Sequence, residues 1–253
     1  MPRFDELTRD DLRRLAPEAT VLIPLGSIEQ HGPHLPVCVD TAVVSHLVDR
    51  AAQLAAEQIP VVVTPTLPFG FANHHLAFGG TISIDLPVYL DVLTSIGRSL
   101  AVDGFRRILF INGHGGNDAP VRAVGDRLVH ELGLDVLAGG TSYWTCAADA
   151  LRDLDLDVGP VPGHAGGFET SCLMALRPDL VRTDRLPAPE QQLQPLAEVA
   201  MPGAAVRRAG VWEASDGRTD DSSRATPEIG ERALAAIATR LAEFVIQFHH
   251  AAR

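Results

Sequence analysis

The chain lacks several features that would assign it to a common functional class. Its 253 residues contain three cysteines, Cys38, Cys146 and Cys172, which are widely spaced and form no CxxC pair. An odd, scattered set argues against a disulfide framework and favours a reducing compartment. No apolar run approaches the roughly 20 residues that span a bilayer, and the charged segment 1–14 lacks the apolar stretch of a secretory signal. We therefore expect a cytoplasmic protein without a membrane segment.

The chain also lacks an excess of positive charge. Its net charge is −11 and its sequence pI is near 5.3, whereas binding to nucleic-acid phosphates requires a basic face. We therefore expect no nucleic-acid partner. Hydrophobic residues make up 46% of the sequence, which is enough for one large core at this length. No internal repeat is visible, and the sequence predicts a single domain over residues 1–253.

Short apolar runs alternate with helical patterns along the chain. The sequence predicts strands at 20–25, 59–64, 107–111 and 135–138, and helices at 40–58, 86–102, 118–132, 168–176 and 227–248. This alternation is typical of βαβ units, so we predict an α/β fold with a central, mostly parallel sheet. Residues 186–226 are rich in Pro, Ala, Gly and charge and show little periodicity. We interpret them as a long excursion that forms either a lid or a subunit contact.

The most informative segment lies directly after the first predicted strand. Glu29 and His31 are two residues apart, so an extended backbone directs both side chains to one face, and Asp40 follows nine residues after His31. Mixed carboxylate and imidazole ligands suit a borderline divalent ion such as zinc, manganese or iron. Taken alone, such a pair is more often solvated surface, and Asp40 is more often a helix N-cap.

Polar loops follow other predicted elements. His114 is the one strong ligand of the loop 112–117, which follows the third strand. In open parallel sheets, ligands bind beyond the carboxyl ends of the strands, so His114 and the Glu29 segment are expected to meet. His164 lies on a glycine-rich lead, where it can act as acid or base, and Glu169 lies in the first turn of the next helix. Each feature alone is also consistent with an ordinary turn or helix start.

Two segments carry candidate substrate-binding residues. His74 and His75 are adjacent and would point in opposite directions on an extended chain, so at most one of them faces a site. We select His75, together with Ser83 from the same segment. Tyr143 and Trp144 follow the fourth predicted strand, where the indole either walls a pocket or belongs to the core.

Together these segments resemble the creatininase family, also described as creatinine amidohydrolases and iron-dependent formamide hydrolases. The matching stretches are 25–32 with Asp40, 78–83, 112–117, 164–171 and 223–226. As a set these motifs are highly specific, and they run over nearly the whole chain. The resemblance implies a compact three-layer α/β/α fold, a dinuclear centre with two Zn, Mn or Fe ions, and a homo-oligomer, which is a hexamer in the type enzyme.

The resemblance also implies a set of metal ligands. Carried over by motif, one metal is held by Glu29, Asp40 and His114. The second is held by His31 and Asp40, with Asp40 bridging, and we add Glu169 to this second site. His164 would be the proton-handling residue near the substrate.

The reaction implied by this resemblance is hydrolysis of a C–N bond in a small amide, a cyclic amide of the creatinine type, or a formamide. A metal-activated water would attack the carbonyl, with Glu169 or Asp40 accepting its proton and His164 protonating the leaving nitrogen. A backbone N–H of Gly115 or Gly116 would help to hold the oxyanion. The expected partner is thus a small-molecule substrate.

Two departures from the family pattern bear on the substrate. Creatinine-hydrolysing members carry a glutamate two residues after the histidine of the Asn-Gly-His loop, where this chain has Gly116. Glu169 or water is expected to fill that vacancy. Those members also place a second tryptophan shortly before the His164 segment, whereas residues 159–163 include no aromatic side chain. The metal chemistry therefore transfers better than the creatinine assignment.

Three alternative functions stay open on the sequence alone. Within the family, the chain could be a peptidase that matures a ribosomal peptide, as in mycofactocin maturation, or a deformylase of a formylamino-pyrimidine nucleotide. The deformylase would need a basic phosphate pocket, and few basic residues lie near the motifs. From a different class, a non-catalytic module would keep the fold around a closed structural metal. The preferred prediction is an enzyme that acts on a small, non-peptide C–N bond.

Overall fold

The sheet is built around β1 (Thr20–Leu25), whose six residues are all buried. This strand pairs in parallel with β2 (Val61–Val63) on one side and with β3 (Arg107–Asn112) on the other. β3 in turn pairs in parallel with β4 (Leu137–Ser142), so the strand order is β2-β1-β3-β4. The computed structural model describes residues 2–188 and 206–251.

Helices pack on both faces of this sheet. They are α1 (Arg9–Leu15), α2 (Val39–Ala55), α3 (Leu86–Val102), α4 (Asp118–Asp126, continued by the π-helical turn Arg127–Glu131), α5 (Tyr143–Cys146), α6 (Ala148–Asp153), α7 (Gly167–Leu176), α8 (Val211–Ala214) and α9 (Pro227–His250). Short 3₁₀ turns occupy Phe4–Glu6, Asn73–Phe78, Gly115–Asn117, Pro178–Leu180 and Thr183–Arg185.

Side chains of each strand alternate between two hydrophobic cores. Leu22 and Leu109 pack on one face against α2, α7 and α9. Ile23 and Phe110 pack on the other face against α3 and α4. This alternation follows from the two-residue period of a strand, and it confirms the predicted α/β fold with helices on both faces of a parallel sheet.

The predicted elements agree with the structure except at a few boundaries. β4 lies at Leu137–Ser142 rather than 135–138. The alternative interpretation of Asp40 as the N-cap of α2 is wrong, because the helix begins at Val39 and Cys38 occupies the N-cap position. Asp40 lies in the first turn, where its side chain is free for another role. The sequence also gave no prediction for helices α1, α5, α6 and α8.

The in-register pairing of β1 and β3 positions the functional loops. Leu25 lies opposite Asn112, so the segments that follow both strands leave the sheet at one edge. The N–H of Gly113 donates to the Leu25 carbonyl (2.8 Å). The start of α2 packs on this edge, and a Cβ at Gly26 would come within 2.5 Å of the Thr41 hydroxyl. Only glycine therefore permits α2 to approach the end of β1 so closely.

The predicted excursion over 186–226 lies partly outside the described residues, which do not include 189–205. The described part is 186–188 and 206–226, and the second of these stretches contains α8 and contacts the same edge of the sheet. There the side-chain amide of Gln30 donates to the carbonyl of Gly217 (2.8 Å). Among the helices described, none is long and apolar enough to cross a membrane.

Candidate metal centre

Three carboxylates and two imidazoles form a buried cluster at the carboxyl edge of the sheet. His31 Nε2 lies 3.2 Å from Asp40 Oδ1 and 3.5 Å from Glu169 Oε2. His114 Nδ1 lies 3.1 Å from Asp40 Oδ2 and 3.2 Å from Glu29 Oε2. All five side chains are buried. The two oxygens of Asp40 thus face two different imidazoles, which is the arrangement a bridging ligand needs.

The far ring nitrogen of each central histidine is held by a backbone carbonyl. The three pairs are His31 Nδ1 with Glu29 O (3.1 Å), His114 Nε2 with Phe71 O (2.9 Å) and His164 Nε2 with Gln30 O (2.9 Å). Since only an N–H can donate to a carbonyl, the opposite nitrogen in each neutral ring carries the lone pair. That lone pair faces the carboxylates in every case, and metal-binding histidines are commonly held in this way.

The cluster fits a divalent transition metal. Within the described part of the chain, Glu29 Oε1, Asp40 Oδ2 and His31 Nε2 are buried without a well-directed hydrogen-bond partner. Lone pairs on carboxylate and imidazole that face each other at 3.1–3.5 Å need a proton or a cation between them. A mixed set of carboxylate and imidazole donors suits zinc, manganese or iron.

Three overlapping groups of side chains bring their ligand atoms within 4.8 Å of one another. They are Glu29, His74 and His114; Glu29, His31 and His164; and His31, Asp40 and Glu169. The predicted residues Glu29, His31, Asp40, His114, His164 and Glu169 are therefore all brought together. This geometry agrees with the expectation that the loops after the first and third strands meet at one edge of the sheet.

The carboxylates control the proton affinity of the imidazoles. Burial alone would lower the pKa of His114, but Glu29 and Asp40 raise it well above its usual value. The pKa of His31 is raised in the same way by Asp40 and Glu169. Burial opposes the charge of Asp40 as well, yet the two histidines hold its pKa below the usual range. Protons and metal ions compete for these nitrogens, so metal binding strengthens as pH rises.

The pKa values of Glu29 and Glu169 shift in the opposite direction to that of Asp40, and the pKa of His164 shifts in the opposite direction to that of His31. Burial raises the pKa of Glu29 and Glu169, although neighbouring imidazoles oppose the shift. Burial, reinforced by His31 and His75, lowers the pKa of His164 well below its usual value. His164 is therefore neutral at physiological pH, and its Nδ1 lies 3.4 Å from Glu29 Oε1.

Both histidines of the adjacent pair face the cluster. His75 Nε2 lies 3.5 Å from Glu29 Oε1, and its ring stacks on His164 at 4.3 Å between centroids. The ring of His74 lies parallel to that of His114 at 5.8 Å. The prediction that only one of the two faces the site is wrong, because this segment is a 3₁₀ helix rather than an extended chain.

Gly116 is closely surrounded and leaves no vacancy for Glu169. A Cβ at Gly116 would lie 2.0 Å from the Phe71 carbonyl oxygen and 3.0 Å from His74 Cε1. Glu169 lies instead beside His31, and its Oε2 accepts the N–H of Ala165 (2.6 Å). The side chains that border Gly116 are thus His114, whose Nε2 would lie 2.5 Å from that Cβ, and His74, a residue that sequence reasoning did not select.

The aromatic pair after β4 is placed differently from the histidines. Tyr143 is buried, and its ring packs edge-on against Trp144 at 4.9 Å. Burial raises the pKa of Tyr143, and the charge of Glu169 raises it further, so this phenol lies near the cluster. Trp144 lines an open cavity formed with Leu151 and Val158.

Ser83 and Gly115 occupy the outer part of the loops. The hydroxyl of Ser83 accepts the N–H of Ala72 (2.8 Å) and donates to the side chain of Asn73 (2.6 Å). It therefore holds the start of the histidine-bearing turn. Gly115 is exposed, and a Cβ there would meet nothing within 4 Å.

Trp212 and Gln30 are site residues that the sequence did not reveal. The indole of Trp212 lies 4.4 Å from the ring of His75, 5.2 Å from that of His164 and 5.4 Å from that of His74. Trp212 lies in the stretch with little periodicity, and the only signal was that it is one of two tryptophans. Gln30 lies between the candidate ligands Glu29 and His31, and the strand alternation would direct it away from them.

The segment that carries Trp212 also holds the His164 loop. The N–H of His164 donates to Thr219 Oγ1 (2.6 Å), and the N–H of Thr219 donates to the His164 carbonyl (3.0 Å). Asp220 accepts the N–H of Gly167 (3.0 Å). A Cβ at Gly166 would lie 2.0 Å from the Asp220 carboxylate. These contacts join residues 163–167 and 217–220 into one unit.

Comparisons with known proteins point to one family. The family model Creatininase, described as creatinine amidohydrolase, matches residues 5–245. The chain is 38% identical over 229 residues to the mycofactocin precursor peptide peptidase of Mycobacterium tuberculosis, which covers 86% of this chain and 81% of that relative. It is 32% identical over 189 residues to the creatinine amidohydrolase of Pseudomonas putida, covering 70% and 71%. A solved structure described as “Creatininase Mn” aligns with a TM-score of 0.80 and 26% identity over 97% of each chain.

Proposed function

Because the chain belongs to the creatininase family, we propose that it is a metal-dependent amidohydrolase that cleaves the C–N bond of a short peptide. The position of Asp40, whose two oxygens face His31 and His114, is the observation that supports metal dependence. Support for a peptide substrate comes from the relative at 38% identity, which is named a peptide peptidase. The preference for a non-peptide substrate, made from the sequence, stays a prediction.

We assign the ligands from the geometry of the cluster. Glu29, His114 and Asp40 would hold one cation, with His74 beside them, and His31, Asp40 and Glu169 would hold the other. Bound divalent cations would polarise the scissile carbonyl and make a water nucleophilic at neutral pH. The homo-oligomer expected from the family stays a prediction as well.

His164 is the residue placed to move a proton. Its Nε2–H is committed to the Gln30 carbonyl (2.9 Å), so Nδ1 is the nitrogen available for proton transfer. In this proposal Nδ1 accepts a proton from the attacking water. The protonated Nδ1 then donates this proton to the nitrogen of the breaking C–N bond. The products are then a carboxylate and an amine. Glu169, whose pKa is raised by burial, is the second group able to accept a proton from the water.

A small cyclic amide is the second candidate substrate. It is favoured by the 32% identity to a creatinine amidohydrolase and by the similarity to a creatininase structure over nearly the full chain. Against it stands Gly116, around which no side chain fits. The two candidates therefore need to be compared directly.

The test is metal removal combined with a substrate panel. The purified protein is stripped with a chelator, assayed on short peptides and on creatinine, and assayed again after addition of manganese, zinc or iron. We expect hydrolysis to disappear with the metal and to return with at least one of the ions. Full activity in the metal-free protein would refute the mechanism, and turnover of creatinine alone would select the second candidate.

A further inference from the structure

Arg218 is a buried cation without a strong partner. Its side chain is 7% exposed, and within the described ranges its one ion pair joins NH2 to Asp216 Oδ2 at 3.8 Å. That distance is beyond hydrogen-bond range, and Asp216 is 77% exposed. The Nε atom of Arg218 is buried and has no hydrogen-bond partner among the described residues. A guanidinium in this state is destabilising for the fold, because its charge is neither solvated nor neutralised.

This arginine lies next to the proposed metal ligands. Gly217, the residue before it, accepts the hydrogen bond from Gln30 (2.8 Å), which lies between two ligands in sequence. The aliphatic stem of Arg218 passes over Gly32, the residue that follows His31. A Cβ at Gly32 would come within 3.2 Å of Arg218 Cδ, so the absence of a side chain there admits the stem.

His34 supplies a second unpartnered polar atom at the same place. Its Nε2 lies 2.9 Å from the hydroxyl of Thr170, while its Nδ1 is buried and meets no hydrogen-bond partner in the part of the chain that the structure describes. The same Cβ position on Gly32 lies 3.4 Å from His34 Nδ1, so that atom and the arginine stem border one space. Burial, together with the charge of Arg218, lowers the pKa of His34 to about 4. When the Thr170 hydroxyl donates to Nε2, Nδ1 carries the hydrogen and is a donor.

The acidic residues near Arg218 do not use up its hydrogen-bonding capacity. Asp216 is largely in solvent. Asp220 is close enough for Arg218 to lower its pKa, but burial raises that pKa overall. The Asp220 carboxylate already accepts the N–H of Gly167 (3.0 Å) and the hydroxyl of Thr219 (2.5 Å). The guanidinium therefore keeps donors available for a ligand.

We propose that Arg218, with His34 beside it, binds a carboxylate group of the substrate close to the scissile bond. A guanidinium matches a carboxylate with two parallel N–H donors, and the match is strongest away from bulk water. This inference rests on the proposed function, because it names the part of the substrate that the same site recognises. The carboxylate belongs either to the C-terminus of a short peptide or to an N-acyl amino acid.

The experiment compares substrates that differ only in this charge. The manganese-loaded full-length protein is assayed on acetylated tripeptides and hexapeptides with a free C-terminus, on the same peptides as C-terminal amides, and on N-acetyl amino acids. Loss of a hydrogen bond to a charged group changes affinity by about ten- to hundredfold. We therefore expect the free acid to be preferred over the amide by this factor, mainly through a lower KM. We expect Arg218→Gln to abolish the preference and Arg218→Lys to retain part of it.

Binding measured without turnover gives an independent readout. Calorimetry with N-acetylglycine and with its amide, on metal-loaded and metal-stripped protein, reports recognition of the carboxylate directly. Arg182→Gln is the matched control, since this arginine is exposed and pairs with Asp184 at 3.3 Å. His34→Gln tests the same subsite if the Arg218 variants do not fold.

The outcomes separate the two proposals. If the wild-type protein hydrolyses no amide but binds the acid better than the amide, the proposed function fails and the Arg218 inference stands. If acid and amide are hydrolysed and bound equally, or if Arg218→Gln weakens both equally, the inference is overturned and the proposed function stands. Cleavage of the peptides but not of the N-acetyl amino acids identifies the peptide C-terminus as the source of the carboxylate.

Discussion

The floor and the cover of the site are built in different ways. The floor consists of Glu29, His31, Asp40, His114 and Glu169, which follow strand ends or begin helices. The cover is residues 206–222, where the single short helix α8 is surrounded by turns. The floor is fixed by the sheet and by two helices, whereas the cover is fixed by a few hydrogen bonds and ring contacts. The residues proposed to carry the reaction are therefore held by the fold, whereas the residues proposed to select the substrate lie in a segment that can vary.

The largest expected effect follows from a change in the floor. Asp40→Asn removes the charge that faces both His31 and His114, so both of the proposed metal ions should be lost or misplaced. We expect kcat/KM to fall by about 10³-fold, because metal polarisation of the carbonyl supplies several kcal/mol. Metal content per chain, measured by mass spectrometry, should fall in parallel. Asp49→Asn on the same helix is the control, and equal loss in both variants would contradict the assignment.

The next effect concerns His34, which contacts the floor through Thr170 and the cover through Arg218. Its pKa is about 4 in the folded chain and near 6.5 when unfolded. The unfolded state therefore binds the extra proton first, and stability present above pH 6.5 is lost as pH falls towards 4. The loss should reach about 3 kcal/mol.

Urea unfolding of the metal-stripped protein at a series of pH values measures this loss. In His34→Gln the loss of unfolding free energy between pH 6.5 and 4 should be smaller by about 3 kcal/mol. An unchanged slope would show that His34 is not held neutral in the folded protein.

A smaller effect is expected from His74, which borders the floor but was not predicted from the sequence. His74→Ala should weaken metal binding by about ten- to hundredfold if the imidazole supports the first metal. Competition with a chelator measures this affinity. His130→Ala, at an exposed position, is the control. Unaltered affinity would restrict the metal site to the five residues of the floor.

The smallest effect is expected in the cover. Trp212→Ala should raise KM by up to about tenfold, since aromatic contacts of this kind contribute roughly 1 kcal/mol. Trp212→Phe should restore most of the loss, because a ring against His75 and His164 is kept. Metal content should not change. A loss of metal in Trp212→Ala would mean that the cover also maintains the floor.

The floor was predictable from the sequence, and the cover was not. Glu29, His31 and His114 follow recognisable buried strands, so parallel pairing alone brings them together. His74 was missed because its segment was treated as extended, whereas a 3₁₀ turn places both histidines on one side. Trp212 was missed because contacts made by an irregular segment leave no periodic trace in the sequence.

The boundaries that differ have a similar cause. β4 extends to Ser142 through Gly139 and Gly140, which have no side chains to signal a strand. It is held instead by in-register pairing with β3. Asp40 was predicted as a cap from local chemistry, but the helix begins one residue earlier and leaves the carboxylate to the cluster. In both cases a distant contact, rather than local preference, decides the structure.

The hydrogen bonds between residues 163–167 and 217–220 couple the position of the cover to the position of His164. Thr219 and Asp220 bind that loop through three hydrogen bonds, so an outward movement of 217–220 that keeps these bonds would carry His164 with it. A ligand that enters by this route would meet a site from which the proton carrier has been withdrawn. Under this coupling, proton transfer by His164 would be possible only in the closed arrangement, even though the carboxylates and imidazoles of the floor would stay in place.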